Sequence, residues 1–446
     1  MFKTIANAWK IPDLRRKMLF TLFIVFIFRV GSVIPVPFLD VHALKSLTEG
    51  WKDSSNMLAY YDVFSGGAFS NATLFAMSVT PYINSSIIMQ LLTVAIPALE
   101  RLAKEGMEGR KKIATITRYV TVILGIIQGT AYYIWLLRSH IVSYEGWNFS
   151  GIFTGLVIVL AFTAGTALMM WLGEQINQNG VGNGISILLF VGIIARLPGT
   201  FGTLWSYFQL GLEGDISKII YSCIFIVIFL VIIWVIVFMN DAERRIPIQY
   251  AKRVVGRKMY GGQNTHLPIK VGLSGVMPII FASSILSIPS TILLFMGATD
   301  KSSDNWKNIP DFWKGFFNAF DMGGWIYTVL YFVFIIGFAY FYVTIQYNPV
   351  EMANNLRQNN GTIPGIRPGK PTADFIAKIL SKITLIGALF LAFIAIVPLI
   401  FSGVTGMHGL MMGGTSVIIL VGVALETGRQ LESQMMVRKT KGFLDK

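Results

Sequence analysis

Long apolar runs alternate with short polar stretches along the whole chain. A hydrocarbon core of about 30 Å is crossed by about 20 residues of helix, and ten runs are candidates for that role. They extend approximately from Leu19 to Pro37, Leu74 to Pro97, Tyr119 to Leu137, Gly151 to Leu172, Ile185 to Phe201, Ile219 to Met239, Val271 to Met296, Trp325 to Tyr347, Ile383 to Phe401 and Met411 to Leu425. The first follows a basic stretch, as a signal peptide would. It is too long for one and ends in Val33-Ile34-Pro35-Val36-Pro37 without a small-residue cleavage site, so it reads as a retained span. Ahead of it, Phe2, Ile5, Ala6 and Trp9 recur at helical spacing opposite Lys3 and Lys10. That pattern suits a short helix lying in the membrane interface, with a frayed tail as the competing reading.

Composition agrees. Of 446 residues 54% are hydrophobic and 13% charged, with a mean hydropathy of +0.62, whereas soluble domains carry about 25% charged residues. The expectation is one all-α polytopic membrane domain. A single cysteine, Cys223, excludes a disulfide framework or a cysteine-ligated metal cluster and reads as a core filler. The net charge of +14 sits in the connections. Counted on alternate loops, 27 basic residues fall on the side of the termini and 8, including Lys45, Arg138, Arg196 and Lys307, on the other, while Arg29 and Lys382 lie within or at the edge of spans. The positive-inside rule then puts both termini in the cytoplasm.

The chain also repeats itself. Divided after the fifth span, it gives two five-helix halves of opposite orientation whose irregular spans correspond. Val79-Thr80-Pro81-Tyr82-Ile83 with Ser85-Ser86 matches Val276-Met277-Pro278-Ile279-Ile280 with Ser283-Ser284, and Gly184-Ile185-Ser186-Ile187 matches Gly414-Thr415-Ser416-Val417. Interrupted helices at corresponding places point to a passage at the repeat interface, although Pro and Gly are also ordinary in membrane helices. Five residues on from each glycine stand Leu189 and Ile419, two on from each proline stand Ile83 and Ile280, and Val79 and Ile185 lie one turn from Ile83 and Leu189. A ring of such aliphatics would exclude water and ions yet yield to a chain pushed through it; residues facing lipid or core are the competing reading. Asn84, Gln90 and Gln128 could bond across a helix seam or be satisfied locally.

Two connections, 240–270 and 348–378, are too long to be mere links. The first alternates apolar and basic residues like a hairpin and carries Arg244, Arg245, Lys252, Arg253, Arg257 and Lys258; the second holds Arg367 and Lys370 at a Pro/Gly turn. Such clusters could grip RNA phosphates or serve only as a topology signal. Enzyme chemistry finds little support. Gly365 to Lys370 is one residue short of a phosphate loop and has Pro371 where a hydroxyl should stand. His42, His140, His266 and His408 form no metal or nucleophile pattern. No cofactor and no metal is expected, and energy must come from a partner.

Eight segments taken together resemble the SecY family, the central subunits of bacterial protein-conducting translocons. They are residues 28–37 (FRVGSVIPVP), 64–68 (FSGGA), 80–83 (TPYI) with 86–93 (SIIMQLLT), 171–176 (WLGEQI), 182–186 (GNGIS), 265–268 (THLP), 364–369 (PGIRPG) and 413–416 (GGTS). The resemblance implies an hourglass pore ringed by Val79, Ile83, Ile185, Leu189, Ile280 and Ile419, with Val79 and Leu189 standing where isoleucine is commonest. It implies a plug around 61–73, including Phe64, Ser65, Gly66, Gly67 and Ala68. A lateral gate for signal sequences would run between the second and third spans and the seventh and eighth, with Asn84, Gln90, Gln128 and Ser284 along it. The long loops would dock the ribosome, including its RNA, or the ATPase SecA, with Arg245 and Arg367 as anchors; SecE, SecG and anionic lipids complete the partners. The implied organisation is an interfacial N-terminus (1–18), a first half (19–201), a second half (202–430) and a cytoplasmic tail (431–446). Unfolded secretory polypeptides would be the cargo. A secondary transporter of a small solute, and a ribosome-docked receptor without a channel, are the rival classes.

Overall fold

Inside lipid a backbone can satisfy its polar groups only within its own helix or a closed barrel, and this sequence takes the first route. The computed structural model describes residues 2–49, 62–63, 65–143, 148–213, 215–250, 253–255, 258–260, 264–296, 304–320, 324–406 and 414–441. The first half contains α1 (Phe2–Trp9), α2 (Pro12–Gly31), α3 (Val41–Glu49), α4 (Thr80–Ala95), α5 (Pro97–Lys104), α6 (Met107–Arg138), α7 (Phe149–Asn179) and α8 (Gly184–Leu212). Then come α9 (Ile216–Asp241) and the strands β1 (Glu243–Tyr250), β2 (Arg253–Val255), β3 (Lys258–Tyr260) and β4 (Asn264–Lys270). The rest is α10 (Met277–Leu286), α11 (Ile288–Met296), α12 (Asp304–Lys307), α13 (Asp311–Ala319), α14 (Trp325–Gln346), α15 (Pro349–Gln358), β5 (Gly361–Thr362), α16 (Lys370–Thr405) and α17 (Gly414–Lys441).

Among the described residues six helices are long and apolar enough to cross a membrane: α6, α7, α8, α9, α14 continued by α15, and α16. A seventh is the pair α4 and α5, bent by 101°. The other expected spans fall on α2, on α10 with α11, and on α17. Each departs from a plain apolar rod for a visible reason. Asp13, Arg15, Arg16, Lys17 and Arg29 share the 20 residues of α2, Ser287 separates α10 from α11, and α17 passes from an apolar first half into Glu426, Arg429 and Glu432.

Helix ends differ from the expected span ends. Residues 74–79 are turns, and α4 starts only at Thr80, because Pro81 in its first turn offers no N–H to a preceding turn and Ser78 sits at φ +50°. Residues 271–276 likewise turn before α10, which has Pro278 in its first turn. The halves therefore share a device: Val79 and Val276 cap helices that begin inside the protein, behind a proline. α2 stops at Gly31, short of Pro37, and Pro35 bridges to Thr73. Elsewhere helices outrun the apolar runs. Arg110, Lys111, Lys112 and Arg118 stand on α6 rather than in a loop, and Lys370 and Lys378 on α16. The division at 201/202 falls inside α8, which continues through Pro198 to Leu212, and the expected tail from 431 is helical as far as Lys441.

α9 buries only Ser222, Ile232 and Ile236; Ile220, Ile224, Val227, Val231, Trp234 and Phe238 are exposed on it, a face suited to lipid, and Cys223 is exposed with them rather than filling the core. In α1, Ile5 and Trp9 are exposed while Ala8 packs with Leu14, Val181 and Leu431, so the expected interfacial face is free and its back is tied to α17. Missing side chains permit close approaches: a Cβ on Gly165 of α7 would collide with the Leu74 carbonyl oxygen, and one on Gly184 with that of Gly173.

Candidate functional site

Four helices bring the six aliphatic positions together. Val79 and Ile83 come from the start of α4, Ile185 and Leu189 from that of α8, Ile280 from that of α10 and Ile419 from that of α17. All belong to one apolar cluster that also takes Ile24 and Phe28 of α2 and Met169, Leu172 and Ile176 of α7. Val79, Leu189 and Ile419 are 1%, 3% and 1% exposed, whereas Ile83, Ile185 and Ile280 are half-buried. Ile83 and Ile185 lie one turn beyond Val79 and Leu189 toward the end that bears the strands, so on these two helices exposure rises in that direction. Branched alkyl groups donate and accept no hydrogen bond, so such a cluster excludes water and ions while it stays packed.

Residues 62–63 and 65–78 lie over the cluster from the opposite end, with Ala68 and Phe75 packed into it. Ser65 is buried, its hydroxyl donating to the Asp62 carbonyl at 3.1 Å and accepting from the Phe69 N–H at 2.9 Å. Gly66 and Gly67 turn the chain at φ +66° and +93°, and a Cβ on Gly66 would stand 3.0 Å from the Cα of Gly192 on α8. Ala68 joins the same cluster as the six aliphatics. Tyr132 of α6 donates to the Phe69 carbonyl at 2.6 Å, and the Leu74 N–H to the Ile34 carbonyl at 3.0 Å. Phe64 lies outside the described residues. The sequence reading missed three charges here. Asp62 pairs with Arg196 of α8, which also donates to the Ser70 hydroxyl at 3.0 Å, and Arg29 of α2 donates to the Gly66 carbonyl at 3.5 Å. The signal was present: a cation inside an apolar run calls for a partner.

α4 and α6 meet α10 and α11 along a seam between the halves. At the C-terminal end of α6, Arg138 donates to the Met296 carbonyl of α11. Gln90 bonds to Ser86 on its own helix at 3.4 Å rather than across the seam. The Asn84 side-chain oxygen is buried without a hydrogen-bond partner, and Gln128 and Ser284 are half-buried.

The two long connections form one body. β1 pairs antiparallel with β4 along its length and, at Gln249↔Thr362 and Tyr250↔Gly361, with β5, giving the order β4-β1-β5. Period-2 alternation on β1 turns Ile246 and Ile248 inward onto Leu356, Ile363, Ile376 and Leu380. The 348–378 stretch expected as a loop thus contains α15, β5 and the first turns of α16. Arg244 and Arg245 are exposed on β1, Arg245 pairing with Glu243 at 2.6 Å. Arg367 is exposed between Gly365 (φ +81°) and Gly369 (φ +103°), its carbonyl accepting from the Thr372 hydroxyl at 2.8 Å, and Lys370 is exposed beside it. Arg253 lies on β2, while Lys252 and Arg257 lie outside the described residues.

Known proteins resemble this arrangement. A family model described as SecY matches residues 73–428. Protein translocase subunit SecY of Streptomyces scabiei is 43% identical over 453 residues and that of Bacillus subtilis (strain 168) 41% over 449, each covering 100% of both chains. Two solved structures share the fold over 97% of each chain: a SecY protein whose plug domain stabilises the closed state of its channel (TM-score 0.63, 17% identity) and Sec61 in a canine ribosome-channel complex (TM-score 0.60, 16% identity). These relatives are translocase subunits and channels, which sets aside the small-solute transporter. Matched by the family model over most of its length and aligned end to end with these relatives, the chain belongs to the SecY family of protein translocase subunits.

Proposed function

We propose that this multi-pass membrane protein is the channel subunit of a translocase that passes unfolded secretory polypeptides across the bacterial cytoplasmic membrane and releases membrane segments sideways into it. The observation that carries this reading is the single cluster joining Val79, Ile83, Ile185, Leu189, Ile280 and Ile419 from both halves with Ala68 of the overlying segment. In it the six aliphatics form the constriction. Residues 62–73, with Ser65, Gly66, Gly67 and Ala68, form the plug, a role supported by the solved relative whose plug domain stabilises its closed state. The α4/α6–α10/α11 seam, with Asn84, Gln90, Gln128 and Ser284, is the lateral gate.

The sheet platform is the docking surface. Arg244, Arg245, Arg367 and Lys370 meet the ribosome or the ATPase SecA there, and SecE and SecG complete the complex. Docking to a ribosome is supported by the Sec61 neighbour, solved in a ribosome-channel complex. The chain is a conduit rather than an enzyme, so the partner supplies the energy. Both termini and the platform face the cytoplasm, as the split of 27 basic residues against 8 favours.

An arrested secretory chain tests this directly. Photoreactive groups at positions 83 and 280 should crosslink to it in the assembled complex. Crosslinks confined to lipid-facing positions such as 227 and 231 would reject a path through the cluster.

A further inference from the structure

Three charged side chains from three elements converge beside Gly66 and Gly67, where an apolar interior would be expected. Asp62 is 8% exposed and pairs with Arg196. The same guanidinium donates to Ser70 at 3.0 Å, and a Cβ on Gly67 would stand 3.3 Å from its central carbon. One side chain of α8 therefore holds both ends of the segment, at 62 and at 70, across its glycine corner. Arg29 donates to the Gly66 carbonyl from α2. Arg196 lies seven residues past Leu189 on one helix, which sets the staple about 10 Å to the plug side of the constriction.

We propose that the Asp62–Arg196 ion pair, flanked by Arg29, positions the plug and sets how readily it leaves the channel. The inference rests on reading residues 62–73 as the plug. The Nε of Arg196 is buried without a partner, so Asp62 and Ser70 are the contacts that compensate this guanidinium while the plug is seated. Asp62 is buried while the Arg196 side chain stays a third exposed, so loss of Arg196 leaves a buried, uncompensated carboxylate, whereas loss of Asp62 leaves a guanidinium that water already reaches in part. When the plug departs, both charges pass into an aqueous passage that hydrates them. The latch is thus firm while the apolar cluster is dry and weak once it is wet, which couples it to the constriction without direct contact.

The test uses the complete complex in planar bilayers, without SecA or ribosome. Asp62→Asn and Arg196→Gln should each raise resting ion conductance by about tenfold or more, the factor equivalent to ~1.4 kcal/mol taken from the closed state. The double variant should leak less than the product of the single effects, because each single change already removes the pair. Arg196→Lys should fall between, keeping the charge without the planar fork. Continued export of a protein with an intact signal sequence separates an unlatched channel from an unfolded one. If Arg196→Gln does not accumulate, Asp62→Asn and Ser70→Ala probe the same contact from the plug side. Single variants with unaltered conductance, or effects that simply multiply, would overturn the latch. Deletion of residues 62–72 keeps the two readings apart: a leak there with silent point variants rejects the latch alone, whereas an unaltered conductance rejects the plug.

Discussion

Replacing members of the aliphatic ring with asparagine should open the channel to ions in an order set by burial. Ile419 is 1% exposed and Ile280 half-buried, although both belong to the same cluster. Burying an isoleucine side chain contributes about 1.5–3 kcal/mol, and an amide left without partners costs about 1–3 kcal/mol more, so Ile419→Asn takes roughly 3–5 kcal/mol from the closed state. Ile280→Asn keeps part of its surface in water and should lose about half as much. A gap of about 2 kcal/mol corresponds to roughly thirtyfold in the ratio of open to closed channels. Ile419→Val is the control: it deletes one methylene, costs about 0.5–1.5 kcal/mol and adds no group that bonds water.

The measurement is single-channel conductance of the purified complex without partners, set beside export of a protein with a defective signal sequence. Both should rise in the order Ile419→Val, Ile280→Asn, Ile419→Asn. A larger leak from Ile280→Asn than from Ile419→Asn, or none from either at normal expression, would refute the argument that burial in this cluster makes the seal.

Gly66→Ala should also leak, since it places a Cβ 3.0 Å from Gly192 at φ +66°, a conformation costing ~1–2 kcal/mol; conductance of the complex checks it. Arg367→Glu should leave the bundle folded, as exposed substitutions change stability by about 0.5 kcal/mol, while SecA or ribosome binding falls sharply and falls further with salt. Lys at that position should restore only part of the binding, measured by co-sedimentation. Ile376→Ala, in the fully buried core of the platform, should loosen the docking surface by about 2–5 kcal/mol and weaken partner binding while the resting conductance stays unchanged. With Cys223 replaced, Lys370→Cys should react with impermeant thiol reagents only from the cytoplasm and His140→Cys only from outside.

The apolar runs and the proline and glycine punctuation made much of this architecture legible. Helix geometry is fixed at about 1.5 Å per residue, so counting from Gly184, Gly414, Pro81 and Pro278 reaches positions that the fold gathers into one cluster. Helix ends were less legible for a physical reason. Hydropathy reports where lipid stops, but i to i−4 hydrogen bonds do not stop there, and α6 and α16 continue on Arg110–Lys112 and Lys370–Lys378. The join of β1 to β5 was invisible, since the pairing Gln249↔Thr362 depends on α14 and α15 returning the chain to the sheet. Arg196 was hidden differently. Counted by sign alone it is one more cation on the side opposite the termini, and its partner Ser70 lies 126 residues away. A charge count treats every cation as solvated, so it overlooks a cation paired with a buried carboxylate. On the proposed reading of 62–73 as the plug, that cation is placed to act on it, because a fully solvated charge changes little when the segment moves, whereas this half-buried guanidinium must exchange Asp62 and Ser70 for water before the segment can leave.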